Sequence, residues 1–268
     1  MNQVFFEMTE AIDSRRSCRQ FQQIRLNLEH EQQILDFMSH VHVPFEHDVS
    51  IEYHSTPDDK NVVYFKGPKQ FLALSTTETP IEQAKLGFLG EQIILYSESI
   101  GVRTCWMGHY STKEVHEIVY GKEGPNPDRP LYCIILLGYV PEKTGLLDRF
   151  SQKRMSKKNK TVESFLHKES ITEFPDYIRY SLELASRAPS AMNSQKWYYL
   201  VEMNSDRYSI ELSKPRGYQH FKWRQYDIDV GTAAAHMWLG LKSRGKEPEV
   251  IIHDRDGDAI WRFELESD

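Results

Sequence analysis

The sequence predicts an α+β chain in which two pseudo-symmetric halves, each with a β-sheet and a buried central helix, are fused in one polypeptide. A long apolar segment that ends in glycine occurs twice, and one spacing of 144 residues relates Gly87 to Gly231 and Gly101 to Gly245. Each copy also follows a helical pattern and then a strand-like stretch of β-branched and aromatic residues. We place the halves at 1–150 and 151–268.

The first central helix has a clear start and stop. Thr79 suits the N-cap, Pro80 the first helical position and Glu82 the third, which together make a capping box. Gly101 suits the C-terminal end. The sequence between them is apolar on most faces, which is typical of a buried helix.

The second central helix is predicted from Asp229 to Gly245, with small residues early and apolar residues later. In the first copy, Gly87 and Gly90 lack side chains that would keep another backbone at a distance. The two glycines therefore predict that another backbone comes close to the first central helix.

A further pair of helices is predicted before the strands. The first covers Glu29–Val41, with Asn27 as N-cap and with Ile34 and Met38 facing inward, and its counterpart covers Glu173–Arg187. Strand candidates are VSIEY near Ile51, VVYF near Val62, FLALS near Phe71, YCIILLGYV near Tyr132, WYYLV near Tyr199 and EVIIH near Glu249.

Composition limits the protein class. The 268 residues are 40% hydrophobic and 27% charged with a mean hydropathy of -0.58, which indicates a globular chain rather than a membrane protein. The start, MNQVFFEMTE, lacks the pattern of a signal peptide, so we expect a cytoplasmic protein. A net charge of -6 opposes nucleic-acid binding by the molecule as a whole.

Cysteines and histidines give no metal signature. The three cysteines are too far apart for a disulfide framework or a metal knuckle, and we expect reduced, packed thiols at Cys18, Cys105 and Cys133. A cluster of histidines lacks a fourth ligand at a familiar spacing, so surface positions are the better interpretation for His40, His42 and His47.

The first motif that suits a ligand is SRRSCRQF. Arg15, Arg16 and Arg19 place three guanidiniums beside the hydroxyl of Ser17, and such a multi-donor surface suits a phosphate. Taken alone, the same cluster would more often be solvated or paired with carboxylates.

The second motif is APSAMNSQKW, between a predicted helix and a predicted strand. Ser190, Asn193 and Gln195 offer short hydroxyl and amide groups for the edge of a heterocycle. Taken alone, the segment would more often be a helix exit with Asx-turn hydrogen bonds.

The third motif is GVRTCWMGHY, where we expect a helix to end and the chain to turn through Gly108. Backbone N–H groups in such a turn point outward and suit an electron-rich ring atom. Trp106 alone would more often fill the core.

In combination the three motifs resemble the FMN-dependent nitroreductase family, whose members read RRSxRxF, APSxxNxQPW and GLGTCWIGGF. The later LLGYVPEK fits as well, so the resemblance spans nearly the whole chain. Because GVRTCWMGHY precedes APSAMNSQKW here, the sequence resembles an internally duplicated, single-chain variety. In the family each flavin lies across a dimer interface, and a fused chain supplies both sides itself.

The resemblance implies roles for these residues. The phosphate and ribityl side of FMN would be held by Arg15, Arg16, Ser17 and Arg19. The ring and ribityl would meet Pro189, Ser190, Asn193 and Gln195 from the other half. The N5 and O4 edge would face the backbone of Gly108 and His109, flanked by Trp106 and Met107.

The repeat predicts one FMN per chain. The 144-residue shift places Asn159, Thr161 and Glu163 where Arg15, Ser17 and Arg19 stand, and a carboxylate there repels phosphate. The segment PFEHDVS likewise has no serine or asparagine at the places that a second site needs. Two departures from the family pattern stand out: Asn159 replaces a basic phosphate contact, and His109 narrows the space above the ring.

By this resemblance the protein is an oxidoreductase in which NAD(P)H, either NADH or NADPH, reduces FMN. A small-molecule acceptor such as a nitroaromatic or a quinone then reoxidises it by ping-pong kinetics. A flavin-binding sensor or storage protein without turnover is the alternative function, and a nucleic-acid-binding protein is a third possibility.

The segment Arg216–Asp227 is a candidate lid, and the opposing interpretation is that it is a variable loop. A monomer suffices for the site, and fusion does not forbid a dimer.

Overall fold

The computed structural model describes residues 2–141, 161–215, 218 and 225–267, and within them it forms six α-helices and two four-stranded sheets. The chain is therefore α+β, as predicted. The elements of the first part are α1 Asn2–Ser14, α2 Leu28–His40, β1 Val49–Ser55, β2 Gln70–Thr76, α3 Pro80–Ser99, β3 Arg103–Met107, α4 Thr112–Tyr120 and β4 Leu131–Gly138. The second part has α5 Asp176–Ala185, β5 Tyr198–Asn204, β6 Arg207–Ser213, α6 Tyr226–Ser243, β7 Glu249–Arg255 and β8 Asp258–Glu266, with short 3₁₀ turns at Val162–Phe165 and Ala191–Asn193.

Both sheets are antiparallel and share one strand order. The first runs β1-β2-β4-β3 and the second β5-β6-β8-β7. Strand β2 is buried along its whole length because it lies in the middle of its sheet and faces α3. In each half the central helix lies in the sequence between the second and third strands, α3 between β2 and β3 and α6 between β6 and β7.

The two central helices, α3 and α6, pack directly on each other. A methyl group on Gly87 would lie 2.1 Å from the carbonyl oxygen of Ile228, and one on Gly231 would lie 1.9 Å from that of Ala84. The two contacts exchange under the 144-residue spacing. Both helices are buried over most of their length, so this close backbone contact lies in the interior of the protein.

Several sequence predictions are confirmed at residue level. The Asn27 side chain accepts a hydrogen bond from the His30 N–H at 2.7 Å, as an N-cap should. Thr79 accepts from the Glu82 N–H at 3.2 Å, and Pro80 follows it. All three cysteines are buried and form no disulfide among the described residues.

Two helix starts differ in detail from the prediction. The Glu82 carboxylate does not complete the capping box, because it accepts from the Asp48 N–H at 2.7 Å and pairs with Lys85 at 2.6 Å. Helix α6 begins at Tyr226 rather than at Asp229. In the first case the hydrogen bond from Asp48 to Glu82 replaces the one that would complete the capping box.

The strand predicted near Val62 is wrong. The side chain of Asn61 donates to the carbonyl oxygens of Val63 and Phe65 and accepts from Gly67, which closes a compact loop. The prediction also missed α4, β6 and β8, and it treated β3 as a helix exit and turn.

Two predicted segments fall largely outside the described residues. They are the polar, basic stretch Asp148–Lys160, which includes Asn159 and which the sequence predicts as the junction between the two halves, and most of the candidate lid Arg216–Asp227. Within the described part of the chain, no helix combines the length and apolar character needed to span a bilayer.

Candidate functional site

The arginine motif follows directly from the end of α1. The Arg15 N–H still donates to Ala11 at 2.8 Å, after which the chain leaves the helix. The Cys18 N–H then donates to the Thr104 carbonyl at 3.0 Å, so the motif lies along strand β3. The first and third motifs, far apart in sequence, are therefore neighbours in the fold.

Two donors of the arginine motif are available to an anion. Arg16 is exposed and donates to the carbonyl oxygens of Asp13 and Arg15, with no carboxylate partner among the described residues. The half-buried Ser17 hydroxyl makes no hydrogen bond within that same part of the chain. A guanidinium and a hydroxyl in this condition fit a phosphate group.

The third motif is a strand that ends in an exposed turn. The Trp106 ring lies against Gly90, where a methyl group would come within 2.3 Å of it, and its indole N–H donates to Glu91 at 2.7 Å. Met107 is half-buried, whereas Gly108 and His109 are exposed. The His109 ring lies 5.0 Å from the exposed ring of Tyr64. The turn thus presents its backbone to solvent while Trp106 packs on α3.

The second motif is a loop with an unusual backbone. Three of its non-glycine residues have positive φ, namely Met192 at 55°, Asn193 at 51° and Gln195 at 46°. Backbone conformations of this kind cost energy and concentrate at ligand-binding loops. The surrounding contacts must therefore hold the loop in place.

Helix α6 supplies part of that hold. Both carboxylate oxygens of Asp229 accept from the Ala191 N–H, at 3.0 and 3.1 Å, and the Thr232 hydroxyl donates to the Pro189 carbonyl at 2.8 Å. The loop also holds itself, because the Ser190 hydroxyl oxygen accepts from the Gln195 N–H at 2.8 Å.

Gln195 takes a supporting position in this loop. Its buried side-chain amide donates to the Ser186 carbonyl at 2.7 Å and to the Ala188 carbonyl at 3.4 Å. The amide nitrogen therefore ties the end of α5 to the loop, and the predicted ligand contact of Gln195 stays a prediction.

A buried carboxylate links the motifs. Glu91 of α3 accepts from Trp106, contacts His236 of α6 at 2.9 Å and faces the Arg15 guanidinium at 3.8 Å. The other ring nitrogen of His236 lies 3.0 Å from the carbonyl of Leu184, just before the second motif. The three motifs are thus arranged around the pair α3 and α6.

Sequence reasoning missed three of these residues. Glu91, Asp229 and His236 hold the motifs in place, yet none belongs to a motif. The available signal was their polarity, since each is a charged or titratable side chain within an otherwise apolar helix.

Burial raises the pKa of two acid groups near this region. Burial raises the pKa of the Cys133 thiol well above its usual range, and the Asp229 carboxylate adds to the shift. Cys133 is therefore a neutral, unreactive thiol at physiological pH. Burial also raises the pKa of Asp227 to about 6.

The described residues contain no group of three or more histidine, cysteine or acidic side chains able to hold a metal.

Comparison with known proteins adds a family match. Residues 7–241 match the model of a family described as "Putative TM nitroreductase". The fold resembles the crystal structure of a "putative nitroreductase" from Thermotoga maritima, with a TM-score of 0.62 and 22% identity over 96% of this chain and 92% of that one.

A weaker likeness is to a nitroreductase with bound FMN from Bacteroides fragilis, with a TM-score of 0.42 and 18% identity over 63% of this chain and 99% of that one. No curated protein matches the sequence.

Proposed function

The chain belongs to the TM nitroreductase family, and from that premise we propose that it is an FMN-dependent oxidoreductase with one flavin site per chain. NAD(P)H is the proposed reductant, and a nitroaromatic, a quinone or a similar small molecule is the proposed acceptor. The observation that carries the proposal is the meeting of three motifs around Glu91 and the helix pair α3 and α6.

The arginine motif is the proposed phosphate site. Arg16 and Ser17 have donors that no described carboxylate or carbonyl fully satisfies, and Arg15 and Arg19 add positive charge on the same segment. Charge-assisted hydrogen bonds of this kind are the strong ones in phosphate binding. The segment would therefore fix one end of FMN.

The loop from Pro189 to Gln195 is the proposed site for the ring and ribityl. The Asn193 amide and the Ser190 hydroxyl lie on a loop whose strained backbone is held by Asp229 and Thr232. A loop fixed in this way orients its polar groups before a ligand arrives, which reduces the entropy lost on binding.

The turn after β3 is the proposed contact for the reactive edge of the ring. Trp106 is fixed by Glu91 and Gly90, so the backbone of Met107, Gly108 and His109 begins from a rigid point. When bound, FMN would supply the hydride and electron chemistry, while these residues bind, orient and limit access. No side chain is proposed as a general acid or base.

We further propose that the chain arose by internal duplication, with halves at 1–150 and 151–268. The exchange of the Gly87 and Gly231 contacts and the shared strand order support this proposal. One site would remain because the first half lacks the polar loop of the second.

The test is the visible spectrum of the purified protein before and after anaerobic NADPH. We expect an oxidised flavin spectrum that NADPH bleaches and that a nitroaromatic or quinone restores. Retained flavin that NADPH and NADH both fail to bleach would support a binding protein without turnover. A protein that binds no flavin, even after incubation with excess FMN, would contradict the proposal altogether.

A further inference from the structure

A buried, proton-sharing pair lies between the two central helices. Glu91 and His236 are both fully buried, and the Oε1 and Nε2 atoms are 2.9 Å apart. The second Glu91 oxygen accepts from the Trp106 indole at 2.7 Å. An isolated charge buried here would be costly, so the position of the proton decides the net charge of the pair.

Hydrogen-bond roles fix the net charge of the pair. The Leu184 carbonyl, 3.0 Å from Nδ1, only accepts, so Nδ1 of His236 carries a hydrogen. The contact between Nε2 and Glu91 then needs one proton between the two atoms. The pair is neutral overall whether that proton belongs to the imidazole or to the carboxyl group.

This neutrality leaves the charge of Arg15 uncancelled. The Arg15 Nε atom is buried, lies 3.8 Å from Glu91 and makes no hydrogen bond in the described structure. Two carboxylates close in sequence to Arg15 or Glu91 have cations of their own, since Asp13 pairs with Arg187 and Glu98 pairs with Arg103. Arg15, Glu91 and His236 together therefore carry one positive charge.

We propose that His236 is a positioning residue for the flavin phosphate. Its proton offsets the charge of Glu91, so Glu91 can orient Arg15 without neutralising it, and Arg15 retains its attraction for a phosphate. This inference rests on the proposed function. If the pair only joined α3 to α6, its loss would weaken the binding of FMN and of riboflavin equally.

The experiment compares FMN with riboflavin, which lacks the phosphate. Dissociation constants of both are measured by flavin fluorescence on the apoprotein at about pH 8. In His236→Gln the Glu91 carboxylate loses the imidazole that shares a proton with it and faces Arg15 alone, and we expect the preference for FMN over riboflavin to fall about tenfold or more.

Two further variants test the charge balance. In Glu91→Gln no carboxylate remains beside Arg15, and any affinity lost because Trp106 loses its carboxylate partner should be shared by FMN and riboflavin, so the ratio of the two affinities should stay within about threefold of the wild type. The double variant Glu91→Gln, His236→Gln should recover the preference that His236→Gln loses. A merely structural pair would show no such recovery.

Glu98→Gln is the matched control, because Glu98 is a buried carboxylate on the same helix whose partners are Arg103 and Ser14. It should leave the FMN preference unchanged. Equal losses of FMN and riboflavin affinity in His236→Gln, or a double variant as defective as the single one, would overturn the inference. If His236→Gln does not fold, a tenfold loss of preference in Glu91→Gln decides against it. A wild-type protein that binds neither flavin contradicts the proposed function itself.

Discussion

The connection from α2 to β1 and the connection from α5 to β5 occupy corresponding places next to their sheets, yet they are built differently. In the second, Asp229 at the start of α6 bonds to the loop, and three residues adopt positive φ. In the first, the residue 144 positions before Asp229 is Lys85, which pairs with Glu82 at 2.6 Å. The first connection therefore has no carboxylate at the position of Asp229, and its contact with the central helix is at its far end, where Glu82 accepts from the Asp48 N–H at 2.7 Å.

Aromatic packing closes the first connection. Phe45 lies 5.1 Å from Phe88 and 5.5 Å from Trp261, and Lys85 lies 5.8 Å above its ring. Where the second loop offers Ser190 and Asn193, the first thus inserts a phenyl ring into the core. The comparison teaches that corresponding connections in one fold can either present hydroxyl and amide groups on a held loop or be filled by an aromatic side chain, according to the residues that the central helix presents to them.

The largest expected effect tests the helix contact in which the two halves agree, where α3 packs on α6. Gly87→Ala and Gly231→Ala each place a methyl group about 2 Å from a backbone carbonyl, so each should lower the free energy of unfolding by about 3 kcal/mol or more. Urea denaturation measures this. Gly101→Ala, with φ +86° and open space around it, is the control and should cost about 1 kcal/mol. A Gly231→Ala variant as stable as the wild type would contradict the packing.

The next effect tests the feature in which the two connections differ, the carboxylate that holds the second loop. Asp229→Ala removes the carboxylate that accepts from Ala191, and the released loop should bind FMN about 10 to 100 times more weakly, or about 1.4 to 2.8 kcal/mol. Lys85→Ala, at the corresponding position, should leave FMN affinity unchanged. Titration of the apoprotein with FMN measures both. Equal effects of the two variants would remove the distinction between the connections.

A third prediction concerns pH and Asp227, where the first half has the neutral Gln83. Burial raises the pKa of Asp227 from 3.8 to about 6, so the native state holds this proton more tightly than the unfolded chain does. The contribution of Asp227 to stability is then complete below about pH 4 and is lost as the pH rises through about 6.

Asp227→Asn lacks this titration and keeps an oxygen for the Ala259 N–H. Relative to the wild type, the variant should therefore gain roughly 1 to 3 kcal/mol in unfolding free energy between about pH 4 and pH 7. Urea denaturation at both pH values measures the gain. Parallel stability curves for the two proteins would show that Asp227 ionises without cost.

The smallest effect concerns helix starts. Helix α2 has a side-chain cap from Asn27, whereas α5 follows Pro175 without one. Asn27→Ala should lower the unfolding free energy by about 1 kcal/mol, and Asn27→Ser should lower it less because serine also caps. If Asn27→Ala has no effect, the cap contributes nothing to this part of the fold.

Local signals predicted the elements whose stabilising contacts lie within the same segment. The helix starts at Asn27 and Thr79 depend on hydrogen bonds to residues three positions along, and the glycine contacts of α3 and α6 depend on small residues visible in the sequence. Strand β8 was predictable too, because Trp261, Phe263 and Leu265 alternate with less buried positions except at Ile260. Such a period-two pattern is typical of a half-buried strand.

The rest depended on contacts between distant segments. Asn61 turns a strand-like run into a loop, and Glu82 bonds to Asp48 instead of completing its cap. The motifs themselves could be named from the sequence, but Glu91 and His236 are 145 positions apart, and only packing of α3 on α6 brings them together. A motif search finds groups that would touch a ligand, not the residues that position them.

The number of FMN molecules bound per chain tests the account most directly. Apoprotein of known concentration is titrated with FMN until flavin fluorescence rises in proportion to added flavin. We expect saturation at one FMN per chain, because of the two connections only the one held by Asp229 offers short hydroxyl and amide side chains to the ring. Saturation at two per chain would contradict it, since the connection closed by Phe45 would then also be a site.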